Sequence, residues 1–232
     1  MSIQVIYHGH SNVEIHTAGA RLQIDPFYTG NGLADIPAAK ANPTHILLSH
    51  AHSDHVGDTV AIAKRTGAPI ITNYEMALYL QRQGAPAIAP MNHGGGLNFP
   101  FGRITMTLAF HTSSFDDGTY GGQPGGFILE LNSGPAAKTI YFAGDTALFG
   151  DMKLLGELYS IDLACLPIGD CFTMGPAHAI KAAEFLRARK VLPIHYNTFP
   201  PIQQDSAAFA ASLKQQTAIE AAILKPGQTL EL

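Results

Sequence analysis

Short apolar runs, each ended by a polar residue, glycine or proline, recur along the chain. Residues 3–8, 13–16 and 21–25 predict three short strands in quick succession, as in a meander. Later runs of the same kind predict strands over 46–48, 68–72, 103–110, 126–131, 138–143, 161–166 and 190–194. The pattern indicates many short strands rather than a few long elements.

Helical periodicity separates several of these strands, with capping residues at the helix starts and glycine at the ends of the shorter helices. The four predicted helices run from the cap Asp58 to Gly67, from the cap Asn73 to Gly84, over 176–189 and over 205–216. Residues 27–43 carry several glycine, proline and alanine residues and are predicted to be a surface loop. Strands that alternate with helices favour a mixed fold of α and β elements.

Residues with metal-ligand chemistry follow several of the predicted strands. In α/β scaffolds, the carboxyl ends of strands deliver side chains to one rim of the sheet. Taken singly, such a residue is more often a hydrogen-bonded residue at a strand end than a ligand. Four of them in one chain predict a shared site, and they are His50, His111, Asp145 and His195.

The densest cluster of these groups is the stretch His50-Ala51-His52-Ser53-Asp54-His55, directly after the apolar run 46–48. Burying such groups without partners is costly, and a bound metal removes that cost. His50 and His52 are two residues apart, so in an extended segment they point to the same side and can chelate one ion. Asp54 and His55 follow after the chain turns and suit a second ion better. The alternative is a solvated polar loop.

Composition narrows the class of protein. Hydrophobic residues make up 46% and charged residues 14% of the 232 residues, as expected of a compact enzyme-like globule, and we predict one domain over 1–232. The formal charge of −4 argues against a general nucleic-acid binder. The two cysteines, Cys165 and Cys171, suggest no disulfide framework. With no signal-type segment and no apolar run near the ~18 residues of a membrane span, we expect a cytoplasmic protein.

The order His-x-His-x-Asp-His after an apolar strand resembles the signature of the metallo-β-lactamase superfamily. Further strings resemble one branch of it, the metal-dependent hydrolases related to the L-ascorbate-6-phosphate lactonases, and the likeness covers nearly the whole chain. The resemblance implies an α+β fold, a four-layer αββα sandwich with two mixed sheets flanked by helices and the metals at one edge. The strings that carry it are 9–11 (GHS), 24–27 (IDPF), 144–147 (GDTA), 167–170 (PIGD) and 193–199 (PIHYNTF).

The resemblance also implies a ligand set for two divalent ions. His50, His52 and His111 would hold the first ion, Asp54, His55 and His195 the second, and Asp145 would bridge them. Nitrogen and oxygen ligands of this kind suit zinc, and manganese, iron or nickel also fit. Two such ions lower the pKa of a bridging water towards about 7, so that hydroxide can attack a carbonyl or phosphoryl centre.

We therefore predict a metal-dependent hydrolase of a small ester, lactone or phosphodiester. Asp54 and Asp145 are assigned to catalysis as well as to the metals, and His10 is a candidate to orient the substrate or protonate the leaving group. Asp25 is a candidate to anchor a ligand histidine, with a simple turn cap as the alternative. Tyr120, in the glycine-rich segment after His111, and Asn197 are the candidate substrate contacts.

Two alternatives belong to other functional classes. The first is an iron-type redox protein on the same scaffold, although the oxygen-reducing di-iron relatives replace the histidine at position 52 by glutamate. The second is a metal-bound scaffold without catalysis, which the complete set of ligand positions disfavours. The expected partner is a small molecule, neither nucleic acid nor membrane is expected, and a homo-oligomer stays open.

Overall fold

Two β-sheets form the centre of the protein, whose computed structural model describes residues 2–132 and 137–232. In chain order the strands are β1 (Gln4–Tyr7), β2 (Val13–Thr17), β3 (Ala20–Ile24), β4 (His45–Leu47), β5 (Ile70–Asn73), β6 (Ile88–Met91), β7 (Gly96–Phe99), β8 (Gly102–Leu108), β9 (Gly125–Leu131), β10 (Lys138–Phe142), β11 (Leu163–Pro167), β12 (Lys190–Ile194), β13 (Glu220–Ala221) and β14 (Thr229–Glu231). The helices are α1 (Ser53–Val56), α2 (Thr59–Thr66), α3 (Tyr74–Arg82), α4 (Met152–Leu158), α5 (Pro176–Leu186) and α6 (Ser206–Gln216).

Each sheet has seven strands and is mixed. The first has the order β14-β1-β2-β3-β4-β5-β6, with antiparallel pairing up to β3 and parallel pairing from β3 to β6. The second has the order β7-β8-β9-β10-β11-β12-β13, antiparallel up to β10 and parallel from β10 to β13. The chain thus builds the same arrangement twice, a meander followed by parallel strands.

The apolar alternation of the strands divides the core into layers. In the segment around β4, Leu47 packs between the two sheets, whereas Ile46 and Leu48 pack outward against α2 and α3. In β10, Phe142 points to the shared core and Tyr141 packs against the second sheet's helices. Because successive strand residues face opposite sides, each sheet buries both faces. The result is the predicted four-layer αββα sandwich.

In each sheet, three of the strands that run in one sense lead into residues of the predicted site. In the first sheet these are β1, β3 and β4, which lead into the turn with His10, into Asp25 and into the segment that begins at His50. In the second sheet β8, β10 and β12 lead towards His111, Asp145 and His195. The expectation that strand ends would collect these residues at one rim is therefore met.

The predicted secondary structure needs two kinds of correction. The helix predicted over 176–189 ends at Leu186, because Arg187 adopts a left-handed conformation (φ 49°) and closes the helix without a glycine. The prediction also omits two helices and four strands, namely α1, α4, β6, β7, β13 and β14.

Two further sequence expectations concern the helices and the cysteines. Within residues 2–132 and 137–232, each helix is too short or too polar to cross a bilayer. Cys165 and Cys171 are both free thiols, the first buried and the second exposed. Burial raises the pKa of the Cys165 thiol to about 12, as expected for a core cysteine.

Candidate metal centre

The first group of imidazoles consists of His50, His52 and His111, whose ligand atoms all lie within 4.8 Å of one another. His50 is fully buried, and its Nδ1 lies 3.0 Å from Ser49 Oγ. Because the Ser49 hydroxyl already donates to Asp25, it accepts from His50 Nδ1–H, which leaves His50 Nε2 free of a proton. That nitrogen lies 3.0 Å from His52 Nδ1, so the two atoms are close enough to bind one ion.

The pKa values of this group favour the neutral form that binds metals. Burial lowers the pKa of His50 well below its usual value, and the nearby His55 lowers it further. Burial also lowers the pKa of His52 and of His111. Neutral imidazole is the ligand form, so these three side chains need not lose a proton to bind an ion near neutral pH.

Asp25 fixes the orientation of His55. Its carboxylate accepts the Ser49 backbone N–H (2.8 Å) and hydroxyl (2.6 Å) and also His55 Nδ1–H (2.7 Å). His55 Nε2 therefore points away from Asp25, into the cluster. Burial disfavours a charged His55, yet Asp145 and the other nearby carboxylates outweigh it and raise the pKa of His55 well above its usual value. Of the two interpretations of Asp25, the geometry favours the anchor over the turn cap.

Asp145 lies at the centre of the cluster, with 2% of its surface exposed. Its Oδ2 is 2.9 Å from His195 Nε2 and 3.3 Å from His55 Nε2. The same oxygen is 3.6 Å from His111 Nε2 and 4.0 Å from His50 Nε2. One carboxylate oxygen thus reaches imidazoles of both predicted ligand sets, as a bridging ligand must.

The second group contains Asp54, His55 and His195, together with His10. His10 has no exposed surface, and burial lowers its pKa to about 4, so the ring is neutral near neutral pH. Its Nε2 lies 3.2 Å from Asp54 Oδ2, and a carboxylate can only accept, so the proton sits on Nε2. Nδ1, 2.9 Å from Thr198 Oγ1, then accepts the threonine hydroxyl proton.

The Asp54 carboxyl responds to these neighbours. Burial acts to raise its pKa, but His55 and the hydrogen bond from His10 outweigh burial and lower the pKa of Asp54 below its usual range. Asp54 is therefore an ionised acceptor whose Oδ2 is fixed by His10. Its other oxygen, Oδ1, lies 4.0 Å from His55 Nε2 and so faces the cluster.

The donor set fits a metal-ion pair by its chemistry. Ligand atoms converge in three overlapping groups, and all of them are imidazole nitrogens or carboxylate oxygens. His55 Nε2 and Asp145 Oδ1 are buried without a hydrogen-bond partner among the described residues. Buried polar atoms are normally satisfied, and atoms left unpaired in such a cluster are what bound cations would satisfy.

The two predicted substrate contacts lie in different surroundings. Tyr120 has 63% of its surface exposed and lines a cavity of about 730 Å³ that also includes His111. Asn197 instead braces its own loop, because its Oδ1 accepts the backbone N–H of Gln204 at 2.7 Å. It borders an open depression with Gln203, Gln204 and Asp205, whose lining includes none of the other predicted site residues.

Three hydroxyl groups of the site escape the sequence analysis: Ser49 links Asp25 to His50, Thr112 lies 3.3 Å from His52 Nε2, and Thr198 bonds to His10. The position of Ser49 could have indicated its role, since it is a polar residue between an apolar strand and a candidate ligand. The position of Thr112, next to His111, is a weaker indication. Nothing in the sequence around Thr198 indicates that it meets a residue 188 positions away.

Known proteins resemble this chain along its length. A family model described as "Beta-lactamase superfamily domain" matches residues 21–196, more than half of the chain. A UPF0173 metal-dependent hydrolase of Shouchella clausii is 52% identical over 235 residues, covering 99% of this chain and 100% of the relative. Its namesake in Thermus thermophilus is 49% identical over 230 residues, covering 99% of each.

A solved structure shares the whole fold. The novel metallo hydrolase Igni18 of the archaeon Ignicoccus hospitalis is 33% identical and superimposes with a TM-score of 0.90, covering 100% of this chain and 99% of that one. Together with the family model and the close relatives, it confirms the resemblance to the superfamily and to its metal-dependent hydrolases. The chain belongs to the β-lactamase superfamily, within the family of UPF0173 metal-dependent hydrolases.

Proposed function

We propose that the protein uses two divalent metal ions, preferably zinc, to hydrolyse a small-molecule ester, lactone or phosphodiester. The observation that carries the proposal is the position of Asp145, whose Oδ2 lies 2.9–4.0 Å from four imidazole nitrogens of both ligand groups. The names of the relatives, metal-dependent hydrolases, support the same reaction class.

We assign the ligands as the resemblance implies. His50, His52 and His111 hold one ion, and Asp54, His55 and His195 hold the other, with Asp145 between them. His10 belongs to neither set, because its Nε2–H donates a hydrogen bond to Asp54. When bound, such ions lower the pKa of a water towards about 7 and polarise the substrate's carbonyl or phosphoryl oxygen.

The protein's own groups prepare the site for that chemistry. Asp25 and Ser49 hold the rings of His55 and His50 so that their Nε2 atoms point into the cluster. His10 holds Asp54, and because it is fully buried with both ring nitrogens engaged, we assign it to positioning rather than to protonating the leaving group. A fixed set of ligands keeps the reacting geometry without reorganisation.

The test combines metal analysis with activity. Purified protein should hold close to two ions per chain, and His52→Ala or Asp145→Ala should lose at least one ion and nearly all turnover in a screen of bis-nitrophenyl phosphate, lactones and thioesters. His178→Ala is the matched control, since that histidine is exposed on α5, outside the cluster. Full activity of the metal-free protein would refute the proposal.

A further inference from the structure

A cavity beside His111 is not used by the proposed mechanism. Its volume is about 730 Å³, and its walls come from the segment 108–114 on one side and from 120–124 on the other. A backbone bridge between Ser114 and Tyr120 joins the two walls. Because His111 belongs to the candidate metal centre, a substrate held here would have one end at the metals.

The walls of this cavity present apolar side chains to solvent. Phe110 is 58% exposed, Tyr120 is 63% exposed and Leu108 is 39% exposed. Phe110 is nevertheless held in place, since its backbone N–H donates to Thr146 Oγ1 at 2.9 Å and its ring packs edge-on against Phe149 at 5.1 Å. Ordered, exposed aromatic side chains next to a reactive centre are typical of a binding surface.

The charges around the cavity limit what it can bind. All 14 lysine and arginine residues lie in the described parts of the chain, and none of them lines this cavity. Away from the metal centre, a phosphate or carboxylate would find no lysine or arginine side chain on these walls to pair with.

We propose that this cavity binds the uncharged apolar or aromatic part of a neutral ester or lactone, and that it disfavours substrates carrying an anionic group. The proposal rests on the proposed hydrolase function and narrows its substrate class. In the reaction, the water oxygen forms a new bond to the acyl carbon, the acyl–oxygen bond breaks, and the water's proton ends on the leaving alkoxide. The products are a carboxylic acid and an alcohol, or a hydroxy acid from a lactone.

The first experiment compares two six-membered lactones, dihydrocoumarin with its aromatic ring and δ-valerolactone without one. Tyr120→Ala and Phe110→Ala should each lower the ratio of their kcat/KM values about tenfold, because the ring loses its apolar wall. Phe172→Ala is the control, as that phenylalanine is 55% exposed but lies outside the cavity lining, and it should leave the ratio unchanged. An unchanged ratio in both test variants would overturn the proposal.

The second experiment tests the charge preference. Dihydrocoumarin bearing a phosphate on its ring should be hydrolysed at least about tenfold less efficiently than the parent lactone, and Gln123→Lys, which places a cation on the cavity wall, should narrow that gap. A phosphorylated lactone that equals or exceeds the parent in the unaltered enzyme would overturn the proposal.

A binding measurement separates this proposal from the proposed function. The metal-free protein should bind 2-tetralone, a carbocyclic ketone that cannot be hydrolysed, more tightly than cyclohexanone, and Tyr120→Ala should weaken that binding in an NMR titration. If no substrate is hydrolysed, the proposed hydrolase function is refuted, and the titration alone tests whether the cavity binds an apolar group. If bis-nitrophenyl phosphate is hydrolysed with metals but neither lactone is, the function stands and the cavity proposal fails.

Discussion

At the scale of single residues, the candidate centre contains backbone conformations that residues other than glycine rarely adopt. His10, Asp25 and His195 have φ angles of 58°, 47° and 53°. Each such residue costs about 1–3 kcal/mol and persists only where its surroundings fix it. Here His195 N–H donates to His10 O at 2.9 Å, so two of the three hold each other. This concentration of strain supports a functional role for the rim.

Thr198 gives the first residue-scale prediction. Thr198→Val should weaken the affinity for the ion assigned to Asp54, His55 and His195 about tenfold, because the valine cannot donate to His10 Nδ1 and the Asp54 carboxylate loses its fixed partner. The measurement is a competition titration of the metal-free protein against a fluorescent chelator.

The control for this variant is Thr198→Ser, which keeps the hydroxyl and should keep the affinity. The affinity of the other ion should be equal in both variants. Equal affinities of the valine and serine variants for both ions would show that Thr198 does not act through His10.

A second residue-scale prediction concerns the buried pair of His8 and Glu14, 3.1 Å apart. Burial alone lowers the pKa of His8, but Glu14 and Asp35 outweigh it and raise that pKa above 6.5. Burial alone raises the pKa of Glu14, but His8 and His16 outweigh it and lower that pKa below 4.5. The Tyr28 ring also faces His8, and burial raises the pKa of its hydroxyl, so Tyr28 stays neutral throughout this range.

The signs of these shifts set the pH window. The contribution of His8 is complete below 6.5 and is lost as the pH rises through its folded-state pKa. That of Glu14 is complete above 4.5 and is lost as the pH falls through its folded-state pKa. Glu14→Gln should therefore cost most between these values, about 2 kcal/mol of unfolding free energy in urea titrations. The exposed Glu184→Gln should cost little at any pH, and parallel profiles for the two variants would contradict the prediction.

The candidate ligands and the anchor Asp25 could be predicted from the sequence, whereas the hydroxyl groups that support the cluster could not. His50, His111, Asp145 and His195 stand after apolar runs, and that pattern is local. The link from Thr198 to His10 depends on a rotamer, a tautomer and a contact between distant segments. None of these features produces a recognisable pattern in the amino-acid sequence.

At the scale of elements, the strands missed by the sequence analysis share one position. β14 and β6 are the edges of the first sheet, and β7 and β13 are the edges of the second. An edge strand pairs on one side only, so short and partly polar segments suffice, as in β13 with two residues or β6 with Pro90. The inner strands, buried on both faces, show the apolar runs that make them predictable.

A close contact between the ends of β11 and β12 gives the element-scale prediction. A Cβ added at Gly169 would lie 2.2 Å from the backbone oxygen of His195, so Gly169→Ala must displace the strand end that presents this ligand. We expect a loss of about 2 kcal/mol or more in stability and reduced metal content, measured by thermal melting and metal analysis.

The matched control for this change is Gly150→Ala. A Cβ at Gly150 meets nothing within 4 Å, and its φ is not in the left-handed region. Both its stability and its metal content should stay close to those of the unaltered protein. If Gly169→Ala behaved in the same way, the close approach would not constrain His195.

At the scale of the whole molecule, neither sheet contains a complete site. The first sheet supplies His10 and the segment from His50 to His55, and the second supplies the remaining predicted ligands, His111, Asp145 and His195. Apolar alternation alone indicates sheets with two buried faces. It does not specify which edges meet, and the layered arrangement was predicted from the family resemblance instead. The partition of ligands is therefore a property that only the folded chain reveals.

This partition predicts how the metals affect unfolding. Ions that bind only when both sheets are in place stabilise the whole chain by RT ln(1 + [L]/Kd), about 2.7 kcal/mol when the free ion is at 100 times its Kd. Adding zinc to the metal-free protein should raise the Tm of one cooperative transition, as expected if residues 1–232 form a single domain. Hydrogen exchange should slow in both sheets, in β4 and in β12 alike. Asp145→Ala should remove most of the shift, because the bridging oxygen is lost, while His178→Ala keeps it. Two separate transitions, or protection confined to one sheet, would mean that the ions are held by one half alone.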